Sequence, residues 1–152
     1  MSEVIRVYIT DDHQIVRRAI RQLLSTEAGI EVVGEASNGK DAVAEVGKLK
    51  PDIVLMDLVM PVMDGIEAIR QIKAGNPSIQ ILVLTSFATD DKVFPAIKAG
   101  ALGYLIKDTS PDELINAIHQ VHKGEPTLHP SIAQKLLKEI SHSSDDAPIS
   151  PD

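Results

Sequence analysis

The chain has 152 residues, of which 43% are hydrophobic, and this is enough for one domain with a sizeable core. It has no cysteine, which excludes disulfides and thiolate metal sites and fits a reducing compartment, so we expect a cytoplasmic protein. The net charge of −7 without a basic cluster makes the chain itself a poor nucleic-acid binder, and its apolar runs are too short to cross a membrane.

Short apolar runs rich in β-branched residues alternate with helical patterns along the chain. The predicted strands cover residues 4–9, 30–36, 53–56, 79–84 and 102–106. A helical spacing of apolar residues follows each strand. The fourth helix is expected from near Thr89 to Gly100, starting late or kinked because Pro95 lies inside it. Asp64 and Ser110 each begin a helix with a glutamate three residues later, the pattern of a capping box.

Five strand–helix units of this kind predict an α/β fold, with a five-stranded parallel sheet and helices on both faces. Dinucleotide-binding folds of this class carry a glycine-rich turn after the first strand, but here that position reads Thr10-Asp11-Asp12-His13. No phosphate-binding P-loop motif occurs either. These features favour the flavodoxin-like strand order 2-1-3-4-5.

The C-terminal part differs in character from the rest. We expect one domain over residues 1–124 and a linker over 125–152, with a short helix at about 130–141 and a disordered end. The apolar stripe of that helix, formed by Ile132, Leu136, Leu137 and Ile140, should pack on the domain, on a partner chain or on a missing segment, since so short a helix is marginal in water.

Polar residues follow the strands at the points where they end. Asp11 and Asp12 follow strand one, Asp57 follows strand three, Thr85 follows strand four and Lys107 follows strand five. In a parallel sheet these ends share one edge, so a single crevice gathers them. Three close carboxylates call for a hard divalent cation, and oxygen ligands suit Mg²⁺. With Mg²⁺ bound, Asp57 could act as a nucleophile toward a phosphoryl group, while Lys107 and Thr85 stabilise its oxygens.

Each of these residues also has a simpler interpretation when taken alone. Asp57 could be a helix cap or a loop residue, Asp12 could cap the first helix, and Thr85 could be a turn hydroxyl. Lys107 alone could be a solvent-facing side chain. Tyr104 lies among apolar residues, so a packed aromatic is as reasonable as a functional role.

Four sequence features together resemble a two-component response-regulator receiver domain of the NarL/FixJ type, over roughly residues 3–124. They are Asp11-Asp12, the segment D-L-V-M-P-V-M-D-G at 57–65, Thr85-Ser86, and A-G-A-L-G-Y-L-I-K at 99–107. The resemblance implies that a sensor kinase histidine passes a phosphoryl group to Asp57. It also implies Mg²⁺ bound by Asp12, Asp57 and the backbone carbonyl of Val59, with Asp11 often acting through water.

The resemblance further implies a switch. In receivers the threonine hydroxyl moves toward the phosphate and an aromatic side chain rotates inward behind it; here these are Thr85 and Tyr104. Phosphorylation then remodels the face formed by helix four, strand five and helix five, and a homodimer on phosphorylation is expected. DNA would be bound only through a C-terminal helix-turn-helix domain that is absent from this chain.

The sequence departs from the receiver pattern at two points. Receivers commonly follow the lysine with a cis proline, whereas Asp108 follows Lys107, so a cis bond is in doubt here. The positions two residues after Asp57 and Thr85 hold Val59 and Phe87. We hypothesise that these apolar side chains limit water access and prolong the phosphorylated state.

Two other functional classes remain open. A Mg²⁺-dependent phosphatase with an aspartate nucleophile usually needs a second acid two residues later, where this chain has Val59. A stand-alone or pseudo-receiver would bind partners without phosphorylation or a DNA output, and the full set of acids, threonine and lysine argues against it. Because the phosphoryl group would stay on the chain, we do not expect an enzyme.

Overall fold

The computed structural model describes residues 4–86 and 90–146, and the side chains of all of these except 90, 91 and 139–146. Strands and helices alternate through this part of the chain. The strands are β1 Ile5–Thr10, β2 Ile30–Ala36, β3 Ile53–Met56, β4 Gln80–Thr85, β5 Gly103–Ile106 and β6 Thr127–Leu128. The helices are α1 Gln14–Ser25, α2 Gly39–Leu49, α3 Gly65–Gly75, α4 Asp90–Ala99, α5 Pro111–His122 and α6 Pro130–Asp146.

The strands form one parallel sheet in the order β2-β1-β3-β4-β5-β6. The first five strands confirm the predicted order, but the sheet has a sixth strand that the sequence did not predict. Thr127 pairs with Gly103 and Leu128 pairs with Tyr104. This strand was missed because two residues between prolines carry no periodic pattern, and only their pairing with β5 makes them a strand.

Two apolar clusters cover the two faces of the sheet. On one face, β-strand residues such as Val54 and Ile81 pack against α2, α3 and α4. On the other face, residues such as Ile53 and Leu82 pack against α1 and α5. Successive residues of one strand point to opposite faces, so a strand buried on both sides is apolar throughout. The four residues of β3 are all buried, as a central strand requires.

Of the two predicted capping boxes, the one at the start of α5 forms completely and the one at the start of α3 forms only in part. Ser110 and Glu113 form the predicted capping box at the start of α5. Asp64 accepts a hydrogen bond from the Glu67 backbone N–H at 2.9 Å, but the Glu67 side chain bonds Arg70 and Gln71 rather than returning to Asp64. The α3 box is therefore only half formed, because the i+3 and i+4 side chains compete for the glutamate.

Helix α4 contains Pro95 and begins at Asp90. The predicted start near Thr89 lies outside the described residues. At its other end α4 stops at Ala99, followed by Gly100 with a φ of 128°, a backbone conformation that favours glycine.

The C-terminal helix is longer than predicted. It runs from Pro130 to Asp146, past residue 141, where the helix was expected to end and the disordered end of the linker to begin, and residues 147–152 lie outside the described part. Ile132 is fully buried and Leu136 packs against the same cluster, whereas Leu137 is exposed. The first turns of α6 therefore pack on the domain. That burial stabilises the helix beyond what its own sequence supports.

Among the described residues, no helix combines the length and apolar character needed to cross a lipid bilayer.

Candidate functional site

Asp57 lies directly after β3 at the carboxyl edge of the sheet and is only 4% exposed. Its backbone N–H donates to the Thr10 carbonyl at 3.0 Å, which fixes it beside the end of β1. Gly65, the first residue of α3, lies directly behind it. A Cβ on Gly65 would overlap the Asp57 carbonyl oxygen, so the close approach of helix and strand end requires glycine here.

The turn between Asp57 and α3 contains an unusual backbone. Val62 has a φ of 71°, in the left-handed region that a β-branched residue rarely adopts. Its side chain is 76% exposed, so burial of the side chain does not explain this conformation. The Met63 N–H donates to the Pro61 carbonyl at 2.8 Å, a hydrogen bond that spans Val62 and closes a three-residue turn with this positive φ.

The loop after β1 brings Asp11 and Asp12 to Asp57. Asp11 is 2% exposed, and its backbone N–H donates to the Ala36 carbonyl of β2 at 3.1 Å. One potential ligand atom each from Asp11, Asp12, His13 and Asp57 lies within 4.8 Å of the others. Asp12 does not cap α1, because the residue at the N-cap position is His13. The three predicted acids are thus together, as the strand order required.

Lys107 reaches into this group from the end of β5. Its Nζ lies 2.5 Å from Asp11 Oδ2 and 3.1 Å from Asp57 Oδ2. Its backbone N–H donates to the Thr85 carbonyl at 2.9 Å, so β4 and β5 hold it at the same edge. The described residues contain no cis peptide bond, so the Lys107–Asp108 bond is trans.

Burial and charge act against each other in this cluster. Burial raises the pKa of Asp57, the attraction of Lys107 lowers it, and the neighbouring Asp11 raises it, with a net increase. Burial opposes the charge on Lys107, but its hydrogen bond to Asp11 and its attraction to Asp57 and Asp11 outweigh this and raise its pKa. The site therefore holds the Lys107 ammonium beside the Asp57 carboxyl group, whose ionisation stays unfavourable unless more positive charge is added.

Thr85 and Tyr104, the two residues predicted to form the switch, are both buried. Thr85 is the last residue of β4 and is 1% exposed, and it pairs in the sheet with Ile106. Tyr104 on β5 is completely buried, in the same apolar cluster as Ile132 of α6. The inward position expected of the switch aromatic is therefore already occupied in this structure.

Val59 has its side chain exposed, and its backbone N–H donates to the Asp57 carboxylate, which lowers the pKa of Asp57. Phe87, the other apolar residue expected to limit water access, lies outside the described residues. The proposed shielding of the site by this pair stays a prediction.

Two residues near the site were not assigned a role from the sequence. His13 Nδ1 lies 3.2 Å from Asp11 Oδ1 and 3.1 Å from Asp12 Oδ1. Arg17 donates to the Asp11 backbone carbonyl at 2.7 Å and pairs with Glu35 at 3.5 Å. In the sequence, His13 directly follows the two acids and Arg17 lies about one helical turn later. These positions indicate that both side chains lie near the acidic loop.

The donor set suits a divalent cation. Three carboxylates and one ammonium leave two net negative charges in a largely buried crevice. Asp12 Oδ1 is shielded from solvent and has no hydrogen-bond partner among the described residues. Shielding a carboxylate oxygen from solvent without a hydrogen bond costs free energy, which a bound cation or a water molecule would offset. Carboxylate ligands favour Mg²⁺.

Comparison with known proteins identifies the family. The family model described as the response regulator receiver domain matches residues 7–119. The chain belongs to the response regulator receiver family. It is 47% identical over 144 residues to the transcriptional regulatory protein LiaR of Bacillus subtilis, covering 95% of this chain and 68% of LiaR. It is 45% identical over 132 residues to the response regulator protein VraR of Staphylococcus aureus, covering 87% of this chain and 63% of VraR.

A solved structure agrees with these matches. The two-component response regulator of the LuxR family from Aurantimonas sp. superposes with a TM-score of 0.85 at 36% identity, covering 91% of this chain and 99% of that one. The receiver therefore belongs to a LuxR/NarL-type two-component regulator, and the chain spans about two thirds of the length of its curated relatives.

Proposed function

We propose that this receiver accepts a phosphoryl group on Asp57 from the phosphohistidine of a sensor kinase. The observation that carries the proposal is the contact of Lys107 with both Asp57 and Asp11, at 3.1 and 2.5 Å, around a buried carboxylate at the end of the central strand. A carboxylate held in this way is positioned as a nucleophile, with a counter-charge already in place for the group it would receive.

The transfer replaces the P–N bond of phosphohistidine with a P–O bond to Asp57. An oxygen of the ionised Asp57 carboxylate attacks phosphorus and forms a P–O bond while the P–N bond of phosphohistidine breaks. The histidine nitrogen keeps the electron pair and takes a proton from solvent, and Asp57 becomes an acyl phosphate. Phosphoryl transfer depends mostly on positioning and on charge stabilisation at the phosphoryl oxygens. The Lys107 ammonium and the Thr85 hydroxyl would each bind one of these oxygens.

Asp11, Asp12, Asp57 and the backbone carbonyl of Val59 would hold Mg²⁺. When bound, the ion would neutralise charge on a phosphoryl oxygen and on the carboxylates around it. The two net negative charges of the cluster, and the lack of a hydrogen-bond partner for Asp12 Oδ1 among the described residues, support this assignment.

We propose that phosphorylation of this receiver regulates transcription. Its relative LiaR is named a transcriptional regulatory protein, and this chain spans 68% of LiaR's length. We infer a cytoplasmic regulator whose DNA contacts are made by a C-terminal domain outside these residues. Thr85 and Tyr104 would transmit the phosphorylation state, and because the phosphoryl group stays on the chain, the receiver is not an enzyme.

Phosphorylation is proposed to favour a homodimer through α1 and α5. These helices border an apolar groove of about 350 Å³ whose lining includes Ile15, Ala19 and Leu114. Ile15 is 83% exposed and continues the apolar lining of this groove, and contiguous exposed apolar surface is typical of an interaction site. Lys107 also lines this groove, so the charged cluster and the partner surface share a residue.

The test is to incubate the chain with acetyl phosphate, with and without Mg²⁺, and to measure its intact mass. We expect the wild type and Asp64→Asn to gain one phosphoryl group only with Mg²⁺, and Asp57→Asn to gain none. Asp64 is the matched control because it is an exposed helix cap where asparagine serves as well. No gain in the wild type would favour a partner-binding pseudo-receiver, and rapid release of phosphate from small esters would favour a phosphatase.

A further inference from the structure

Asp12 is the acid of the candidate cation site whose position depends on the backbone. Asp11 and Asp57 are held through their side chains, because Lys107 Nζ contacts both carboxylates. Asp12 Oδ1 is shielded from solvent and has no hydrogen-bond partner among the described residues. The nearby His13 Nδ1, 3.1 Å away, is in hydrogen-bonding contact with Asp11 instead. The peptide group that joins Asp11 to Asp12 therefore decides where the Asp12 carboxylate lies.

Arg17 of α1 holds that peptide group. Its Nη1 donates to the Asp11 carbonyl oxygen at 2.7 Å. The Asp11 N–H donates to the Ala36 carbonyl of β2 at 3.1 Å, so the backbone of Asp11 is bonded at both its N–H and its carbonyl. Because the carbonyl of Asp11 and the N–H of Asp12 belong to one planar peptide group, the bond from Arg17 also fixes the direction in which the chain enters Asp12.

Burial and charge keep the guanidinium of Arg17 in this place. Its side chain is 14% exposed, and its Nε lies 3.5 Å from Glu35 Oε2 of β2. That Nε has no hydrogen-bond partner among the described residues, so the pair with Glu35 is a charge contact and the bond to Asp11 is the directional one. Arg21, one turn later in α1, also lies 3.5 Å from Glu35 but is 46% exposed. Of the two arginines that share Glu35, Arg17 is the one bonded to the acidic loop.

We propose that Arg17 is a positioning residue for the cation site, and that its hydrogen bond to the Asp11 carbonyl holds the Asp12 carboxylate where it can bind the ion. The inference rests on the proposed function, because it concerns the same ion and the same reaction. The competing explanation is that Arg17 acts on the site only through its charge, which would repel a cation. The two roles have opposite signs. Loss of the charge alone would strengthen Mg²⁺ binding, whereas loss of the hydrogen bond would weaken it.

The experiment compares the wild-type chain with Arg17→Met and Arg21→Met. Each variant keeps an unbranched side chain and removes one positive charge beside Glu35, but Arg17→Met also removes the hydrogen bond to the acidic loop. Binding of Mg²⁺ is measured by isothermal titration calorimetry without a phosphodonor. The rate of phosphorylation by acetyl phosphate is then followed by intact mass over a range of Mg²⁺ concentrations.

For Arg17→Met we expect the Mg²⁺ affinity to fall roughly tenfold, as is typical when a residue that orients a metal ligand is lost. The Mg²⁺ concentration that gives half the maximal rate should rise by the same factor. The rate at saturating Mg²⁺ should stay within about twofold of wild type, because Arg17 contacts no group proposed to bind the phosphoryl oxygens. Arg21→Met should bind Mg²⁺ within about twofold of wild type, since an exposed charge is screened by salt.

Three results would overturn the inference. The first is unchanged or tighter Mg²⁺ binding by Arg17→Met, and the second is an equal loss of affinity in both variants. The third is a lower rate at saturating Mg²⁺ with an unchanged half-saturating concentration, which is the pattern of a purely structural role that reduces the fraction of active chain. If circular dichroism shows that Arg17→Met does not fold, Arg17→Gln replaces it with the same expected result, because glutamine is polar and its amide is too short to take the place of the guanidinium.

The wild-type chain separates this outcome from failure of the proposed function. If it binds Mg²⁺ and is phosphorylated on Asp57 while Arg17→Met shows wild-type Mg²⁺ affinity, only the role of Arg17 is wrong. If the wild type neither binds Mg²⁺ nor gains a phosphoryl group, the proposed function itself is wrong, and this inference fails with it.

Discussion

Tyr104 of β5 is paired in the sheet with Leu128 of β6, and its carbonyl accepts the His129 N–H at 3.0 Å. The residue proposed as the switch aromatic is thus bonded to the segment that leads into α6. Ile132 at the start of α6 is buried in the same cluster as Tyr104. A change at Tyr104 would therefore reach α6 through β6 and His129, the residue that precedes the helix.

This packing predicts that Ile132 contributes to the stability of the domain. Ile132→Ala should lower the free energy of unfolding by about 2–5 kcal/mol, because a fully buried isoleucine leaves a cavity. The measurement is urea unfolding followed by circular dichroism. Leu137→Ala is the control, since that side chain is 67% exposed and should change stability by less than about 0.5 kcal/mol. Equal effects of the two variants would mean that α6 does not pack as described.

Asp57 should be a destabilising residue when no cation is bound. Burial raises its pKa, so the folded chain holds a proton at Asp57 more readily than the unfolded chain does. Its contribution to stability is therefore most favourable below the ordinary aspartate pKa and falls as the pH rises through the raised value. In a metal chelator above that window, Asp57→Asn should be more stable than wild type, because the folded chain no longer has to bury a carboxylate charge.

The control for this comparison is again Asp64→Asn, which should match the wild type. Melting curves over a range of pH give the result, and the advantage of Asp57→Asn should shrink as the pH falls. Added Mg²⁺ should raise the melting temperature of the wild type more than that of the variant. A wild type that is more stable than Asp57→Asn in chelator would contradict the account of the site's charge.

Val62 stores strain in the turn after Asp57. Its φ of 71° costs about 1–3 kcal/mol in a β-branched residue, while glycine at the same position loses about 0.5–1 kcal/mol through chain entropy. Val62→Gly should therefore raise the free energy of unfolding by roughly 1 kcal/mol, measured as the urea midpoint. Val59→Gly, an exposed valine without a positive φ, should not stabilise the chain, and stabilisation by both would mean that strain is not the cause.

The groove between α1 and α5 predicts which surface would form the proposed phosphorylation-dependent dimer. Ile15→Asp should weaken dimerisation at least about tenfold, since a charge replaces the apolar contact. Leu137→Asp introduces the same charge at an exposed position of α6 and should leave the dimer intact. Sedimentation of the chains treated with acetyl phosphate and Mg²⁺ measures the mass. Loss of the dimer in Leu137→Asp alone would place the interface on α6 instead.

The sequence was sufficient for features that depend on local pattern. Apolar runs ending in Asp57, Thr85 and Lys107 predicted both the strands and the edge that gathers these side chains. The sequence was not sufficient where contacts between distant segments decide the outcome. Strand β6 exists because Thr127 meets Gly103, and α6 extends past residue 141 in a segment whose composition is typical of a linker. The contacts of His13 and Arg17 with the acidic loop also depend on how that loop folds back on α1.

The central claim is that Asp57 carries the phosphoryl group. An acyl phosphate on aspartate is reduced by borohydride to homoserine, so peptide mass spectrometry of the reduced chain identifies the modified residue. After acetyl phosphate and Mg²⁺, the account predicts homoserine at position 57 and nowhere else, and none when Mg²⁺ is withheld. Homoserine at position 11 or 12, or none at any position in a chain that has gained a phosphoryl group, would contradict it.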